Sequence, residues 1–405
     1  MSTPPKVPLL DLTRQYQQVA EGVRQRVAEV FAKQQFVLGD TVERFERTFC
    51  EVFGSAHAVG MSSGTDAELA VLMALGIGRG DAVITTPYTF FATAGCIDRL
   101  GAETVFADIC PDTMHLDANR VAQTLATMRR NADGTLLTQR GNRLRALVPV
   151  HLFGSVCDMD ALQKLADEYQ LAVLEDASQA VGARYPSTTG TRDAGTFGEA
   201  AWFSFFPTKN LGGAGDGGMA VCQNPELASR LRAMRNHGMT ASYHHEIVGG
   251  NFRLDALQTA VLQEKLPHLA EWNAQRRHNA ALYKSLFQEF LPEGGVVLPA
   301  EPWAASGIAD HHTFHQYVIR VADRDHVKQR LSEAGIGHAL YYPLPLHLQP
   351  CFAHLGYGPG DFPEAERASR ESLALPIFPE LEEHEILTVA KAVSEAVKSR
   401  AETNN

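Results

Sequence analysis

Over the first two thirds of the chain, short and nearly continuous apolar runs alternate with stretches whose apolar residues recur at helical spacing. The runs at 82–85, 104–107, 146–150, 172–174 and 201–205 have the length and composition of strands covered on both faces. Between them, 66–75 and 160–169 carry a helical period. This alternation predicts an α/β fold with a largely parallel sheet. From Leu254 onward the pattern changes. Leu257, Val261, Leu262 and Leu266 fall on one helical face, and Pro267 predicts a break or kink after them. Beyond the Gly- and Pro-bearing stretch 292–302, residues 315–321 and 338–342 read as strands, with a helix over Arg324–Ala334 between them. The expected organisation is a large α/β domain over 1–264 and a smaller C-terminal α+β domain over 265–405.

Composition narrows the classes. A chain of 405 residues with a hydrophobic fraction of 45% can bury a large core without staples. A net charge of −11 argues against nucleic acid or an anionic membrane as partner. The six cysteines form no CxxC pair and no zinc spacing, as expected of thiols in a reducing compartment. Residues 1–10 lack the charged start and long apolar run of a signal peptide, and no eighteen-residue apolar stretch occurs, so the expectation is a cytoplasmic protein. A short polar tail covers 401–405.

Four segments carry chemistry. In Ser204-Phe205-Phe206-Pro207-Thr208-Lys209 a lysine follows an apolar strand and precedes the glycine-rich loop Gly212-Gly213-Ala214-Gly215-Asp216-Gly217-Gly218. An amine in such a dry, shaped place has a lowered pKa and can act as a Schiff-base nucleophile. The GxGxxG within the loop does not read as a dinucleotide site, because Met219-Ala220-Val221-Cys222 continues as a strand rather than a helix. In Leu174-Glu175-Asp176 an apolar run ends in an acidic pair, which puts a carboxylate at the carboxyl edge of the sheet. There it can pair with the protonated pyridine nitrogen of pyridoxal phosphate, or simply cap the next segment. Met61-Ser62-Ser63-Gly64-Thr65-Asp66 precedes a helical pattern and can hold a phosphate on free N–H groups, or be an ordinary capped start. Pro87-Tyr88-Thr89-Phe90-Phe91-Ala92-Thr93 follows a strand and offers aromatic faces at the same edge, for a planar ring or for the core.

Taken in order, with Pro8-Leu9-Leu10-Asp11-Leu12, Val150-His151-Leu152-Phe153-Gly154, Gly250-Asn251-Phe252-Arg253-Leu254-Asp255, Tyr342-Pro343-Leu344-Pro345-Leu346-His347 and Leu375-Pro376-Ile377-Phe378-Pro379, these segments resemble the DegT/DnrJ/EryC1/StrS sugar aminotransferases over nearly the whole chain. The resemblance implies a fold-type I pyridoxal-phosphate enzyme, with a mostly parallel seven-stranded sheet in the large domain. It implies that Lys209 holds the cofactor as a Schiff base and moves the proton between Cα and C4′. Asp176 would pair with the pyridine nitrogen, Gln179 would donate to the phenolic oxygen, and Phe90 would stack on the ring. Gly64, Thr65 and Ser204 match phosphate ligands, and Asn251 matches a phosphate contact from the neighbouring subunit of a homodimer with shared sites. The implied reaction is ping-pong transamination from L-glutamate to a nucleotide-linked keto sugar, the cofactor alternating between pyridoxal and pyridoxamine phosphate. Tyr243-His244-His245 before Gly249-Gly250-Asn251 is similar to members acting on 3-keto sugars, which favours C3 over C4. His244, His245, Arg253, Tyr342 and His347 are the implied substrate contacts.

Two alternatives stay open: an inactive regulatory or binding protein on the same fold, and a pyridoxamine-phosphate sugar dehydratase. Relatives that remove a hydroxyl carry histidine in place of the lysine, so Lys209 favours amino transfer. Residues 129–143 are longer and more basic than the family's usual connection and are expected to form an extended surface loop; 186–193 is also slightly extended. His311-His312-x-x-His315 has no acidic or cysteine partner spaced for a metal and reads as a strand-edge cluster, so no metal is expected.

Overall fold

The computed structural model describes residues 6–404, with side chains described as far as 399. The first five residues of the segment tested for a signal peptide, and the side chains of the polar tail, lie outside the described residues. Seven strands form the main path of a central sheet: β1 (His57–Met61), β2 (Asp81–Thr85), β3 (Glu103–Phe106), β4 (Arg143–Leu147), β5 (Ala172–Asp176), β6 (Ala200–Ser204) and β7 (Gly218–Cys222). Their spatial order is β1-β7-β6-β5-β4-β2-β3. All neighbouring pairs from β6 to β3 are parallel, and β7 alone runs antiparallel, between β1 and β6. The strands are short and apolar because helices cover both faces. One buried cluster packs Phe45, Phe49, Phe203 and Phe205 on one side, and another packs Leu69, Leu72, Ile97 and Trp202 on the other.

Helix Ala256–Lys265 ends in a 3-10 turn over Leu266–His268 before helix Leu269–Phe290 begins, so Pro267 interrupts the helical run where its missing N–H requires. The expected boundary at 264/265 falls in the last turn of the first of these helices. A third cluster joins Tyr283, Ile319, Leu331, Leu375 and Ile386 around the antiparallel pair β8 (Tyr317–Arg320) and β9 (Ser372–Leu375). Val7 packs in this cluster and pairs with Ile336, so the N-terminal segment crosses to the C-terminal part of the molecule.

Two expectations are corrected. Residues 129–143 are not an open loop: Arg129–Arg130 pairs with Leu136–Leu137, and Leu137 pairs with Arg143, adding a hairpin to the sheet. Asp133-Gly134 supplies the turn, with Gly134 at φ 87° and the Asp133 carboxylate accepting from Thr135 N. Residues 338–342 form no strand; only Ala339 bridges Ala374, and Pro343 and Pro345 then remove the donors a ladder needs.

Candidate active site

The carboxyl ends of the strands open onto a cavity of about 440 Å³. Its wall takes Ser63, Gly64 and Thr65 after β1, Phe90 after β2, Asp176 at the end of β5 and Ser204 at the end of β6, with Lys209 beyond. The C-terminal part closes it with His315, Tyr341 and Tyr342.

Strand alternation separates the acidic pair. Glu175 faces the core and accepts from the backbone N–H of Gly195, Phe197 and Gly198, with His151 Nε2 at 3.0 Å. Asp176 faces the cavity. Its Oδ2 accepts from Thr93 Oγ1 at 2.9 Å, and its Oδ1 from Ser178 N at 3.1 Å. At 6% exposure this carboxylate has little water, so those two donors fix where its charge can act.

Opposite lies a cradle for an anion. Ser63 caps helix Gly64–Ala74 by accepting from Asp66 N at 3.0 Å, which leaves the N–H groups of the first turn without intrahelical acceptors. Gly64 is required here, because a Cβ would stand 2.8 Å from Ser204 Cβ. At Gly218 a Cβ would stand 2.3 Å from Ser63 O, so both glycines let the helix start approach the sheet.

Lys209 sits on a loop closed at its base by Phe205 N donating to Gly217 O and Gly213 N donating to Phe205 O, each 2.8 Å. Lys265 Nζ donates to Gly212 O at 2.8 Å, and Gln258 Oε1 accepts from Ala214 N, tying the loop to helix Ala256–Lys265. Lys209 is half-buried and lines the cavity. Burial lowers its pKa to about 8, against an upward pull from Asp176. About a tenth of such an amine is free base at pH 7, far more than for an ordinary lysine, and the free base can add to a carbonyl. Phe90 stands 57% exposed at the cavity mouth, 6.5 Å between ring centroids from Tyr342. Gln179 accepts from Phe153 N at 2.8 Å and donates from Nε2 to Tyr342 Oη at 3.0 Å.

The cavity therefore gathers Gly64, Thr65, Phe90, Asp176, Gln179, Ser204, Lys209 and Tyr342. It does not gather the rest. Asn251 is exposed and bridges Asn236, to which Arg253 Nη1 also donates at 2.7 Å. His244 and His245 lie exposed on a hairpin with Met239–Ala241. His347 is buried at 1% exposure against the Phe362 ring, with Nε2 3.3 Å from Glu366.

Sequence reasoning missed Glu68 and His315 on the cavity wall, and Thr93 as the donor to Asp176. Thr93 touches Asp176 across 83 positions of sequence, and nothing local announces such a contact. Glu68 is 1% exposed on the cavity wall with Oε1 unpartnered among the described residues; burial, then the Asp176 charge, raise its carboxyl well above the ordinary range. The histidine cluster was legible, but its part in this cavity was not: His311 pairs with Glu301 at 3.2 Å, while His315 turns inward. Among the described residues no group of three or more His, Cys, Asp or Glu is placed to hold a metal ion, and no helix is long and apolar enough to cross a membrane.

The donor set suits pyridoxal phosphate: an amine without a hydrogen-bond partner, an anion cradle that a Cβ would fill, and a fixed carboxylate around one cavity. Comparison with known proteins gives the same direction. The DegT/DnrJ/EryC1/StrS aminotransferase family matches residues 17–394. The chain is 43% identical to the "Pleiotropic regulatory protein" of Geobacillus stearothermophilus, over 96% of this chain and 98% of that one. It is 38% identical to the "UDP-N-acetyl-3-dehydro-alpha-D-glucosamine 3-aminotranferase" of Acidithiobacillus ferrooxidans, over 96% and 97%. The crystal structure of S. venezuelae DesV "in complex with ketimine intermediate" superposes with a TM-score of 0.87 at 38% identity, covering 98% of this chain and 99% of that one.

Proposed function

The chain belongs to the DegT/DnrJ/EryC1/StrS aminotransferase family, whose members are pyridoxal-phosphate-dependent sugar aminotransferases, and from that premise we propose that it moves the amino group of L-glutamate to C3 of a nucleotide-linked keto sugar. The observation that carries this reading is Lys209, its pKa lowered by burial, in one cavity with the fixed Asp176 carboxylate and the residues Gly64, Thr65 and Ser204. The name of the Acidithiobacillus relative, a 3-aminotransferase of a UDP-sugar, supports C3 over C4.

When bound, pyridoxal phosphate supplies a carbonyl that takes up an amine and a ring that accepts the electron pair of the broken Cα–H bond. Gly64, Thr65 and Ser204 would hold the phosphate, and Phe90 would offer an aromatic face. Asp176 would pair with the ring nitrogen, with Thr93 holding it in place. Gln179 has one amide hydrogen left after its bond to Tyr342 and can donate it to the phenolic oxygen. Lys209 Nζ anchors the cofactor and, once released, accepts and returns the Cα proton. Asn251, His244, His245 and Arg253, all outside the cavity of their own chain, would complete the site of the neighbouring subunit in a homodimer.

A second reading, a regulatory protein, is favoured by one fact: the Geobacillus relative carries that name. The two separate on incubating the protein with cofactor, L-glutamate and a panel of 3-keto and 4-keto nucleotide sugars, with products read by mass spectrometry and NMR. An amine at C3 supports the proposal. An amine only at C4 moves the specificity, and no amino sugar from any member of the panel turns the reading to the regulator.

A further inference from the structure

Beside Lys209 the fold places a histidine with one ring nitrogen engaged and the other free. His315 Nδ1 lies 3.0 Å from Asn210 Oδ1. The Asn210 amide is oriented from its other side, where Nδ2 donates to Asn273 Oδ1 at 2.7 Å and to the Thr313 carbonyl at 3.1 Å. A carbonyl only accepts, so Asn210 turns its oxygen to the ring and His315 Nδ1 must carry the proton. In a neutral imidazole that leaves Nε2 as a bare acceptor. Its surroundings favour the neutral ring. Burial, and then the cations Lys209 and Arg276, hold its pKa well below the ordinary 6.5. At 8% exposure, His315 lines both the main cavity and an adjoining one of about 100 Å³. Among the described residues neither His315 Nε2 nor Lys209 Nζ has a hydrogen-bond partner.

We propose that His315 is a positioning residue for the reaction: its Nε2 accepts a hydrogen bond from Lys209 Nζ when glutamate displaces that amine from the cofactor. The inference rests on the cofactor role proposed for Lys209. The released amine has no protein partner of its own among the described residues, and a donor left unpaired in a mostly buried place is costly. A lone pair of fixed direction gives it one resting place, from which it returns to the reacting carbon. No covalent bond forms or breaks, and the proton stays on Nζ. Because Asn210 adjoins Lys209 in the chain, one amide fixes both the loop that carries the lysine and the tautomer that receives it.

The test is ¹⁵N NMR of histidine-labelled holoenzyme before and after L-glutamate. His315 is assigned by its absence from His315→Gln or by its displacement in Asn210→Asp. The expected spectrum has Nδ1 protonated and Nε2 bare, with the Nε2 resonance moving upfield when glutamate frees the lysine. In single turnovers His315→Phe slows conversion by glutamate about tenfold with half-saturation unchanged, and His315→Gln, which keeps an acceptor, recovers most of the loss. A protonated ring, an Nε2–H tautomer, or an Nε2 signal that stays still while the absorption band converts would overturn the proposal. The wild-type spectrum decides even where His315→Phe does not fold. If instead Lys209→Ala keeps the lysine-bound band, the cofactor role of Lys209 fails first.

Discussion

At the scale of the residue, the site works by withholding water from a few charged groups. Lys209 is the clearest case, since burial outweighs the pull of Asp176 and lowers its pKa to about 8. Only the free amine adds to an aldehyde, so the second-order rate of cofactor capture by the apoprotein should rise with pH and level off above about 8. Stopped-flow absorbance checks this, and a rise that continues to the ordinary lysine range would contradict it. Glu68 runs the other way. Its folded-state pKa lies well above 4.5, so from 4.5 upward the folded protein holds a proton that the unfolded chain has lost. Stability therefore falls as pH rises through that window, by up to ~1.4 kcal/mol per pH unit from this group. Replacing Glu68 by Leu removes the slope. Urea midpoints of the two apoproteins should diverge in the variant's favour as pH is raised from 4.5 toward 8.

At the scale of the element, strand ends and one helix start do the positioning. The closeness of helix Gly64–Ala74 to the end of β6 depends on a missing side chain, because a Cβ on Gly64 would stand 2.8 Å from Ser204 Cβ. Gly64→Ala should leave the fold intact and weaken cofactor binding roughly tenfold or more, measured by fluorescence titration. Elements of this kind were readable in advance where local chemistry decides them. Arg324–Ala334 has the ends expected from the sequence, closed by Gly335 in the left-handed region, and the apolar runs gave the parallel strands. The hairpin within 129–143 also had a local signal, Asp133-Gly134, but the charge of the segment masked it. The 338–342 segment read as a strand from its residues, while two prolines just beyond it deny the pairing. Lys209, Asp176, Gly64, Thr65 and Ser204 were legible as candidates because each sits in a motif, and the fold brings them to one cavity. Thr93 and His315 were not, since their contacts with Asp176 and Asn210 span 83 and 105 positions and exist only once the layers pack.

At the scale of the molecule, two parts of the chain enclose one cavity. The sheet supplies the floor, and residues around β8 and after helix Arg324–Ala334 supply the cover. The N-terminal segment ties these parts together through Val7 and through Arg14, whose guanidinium makes two 2.7 Å bonds to the Glu385 carboxylate. The proposed homodimer makes its own prediction. Lys209→Ala and Asn251→Ala chains should each be weak alone, yet when co-expressed should form hybrids with one intact site, giving about a quarter of wild-type activity. A mixture no better than its parents would place Asn251 outside the site. The central claim is that Lys209 carries the cofactor, and the absorption spectrum of cofactor-loaded protein tests it most directly, before and after L-glutamate, for wild type and Lys209→Ala. A yellow band that glutamate converts to a near-ultraviolet one, and that Lys209→Ala never forms, is the predicted result. A wild type that stays colourless with added cofactor and does not respond to glutamate would contradict the account.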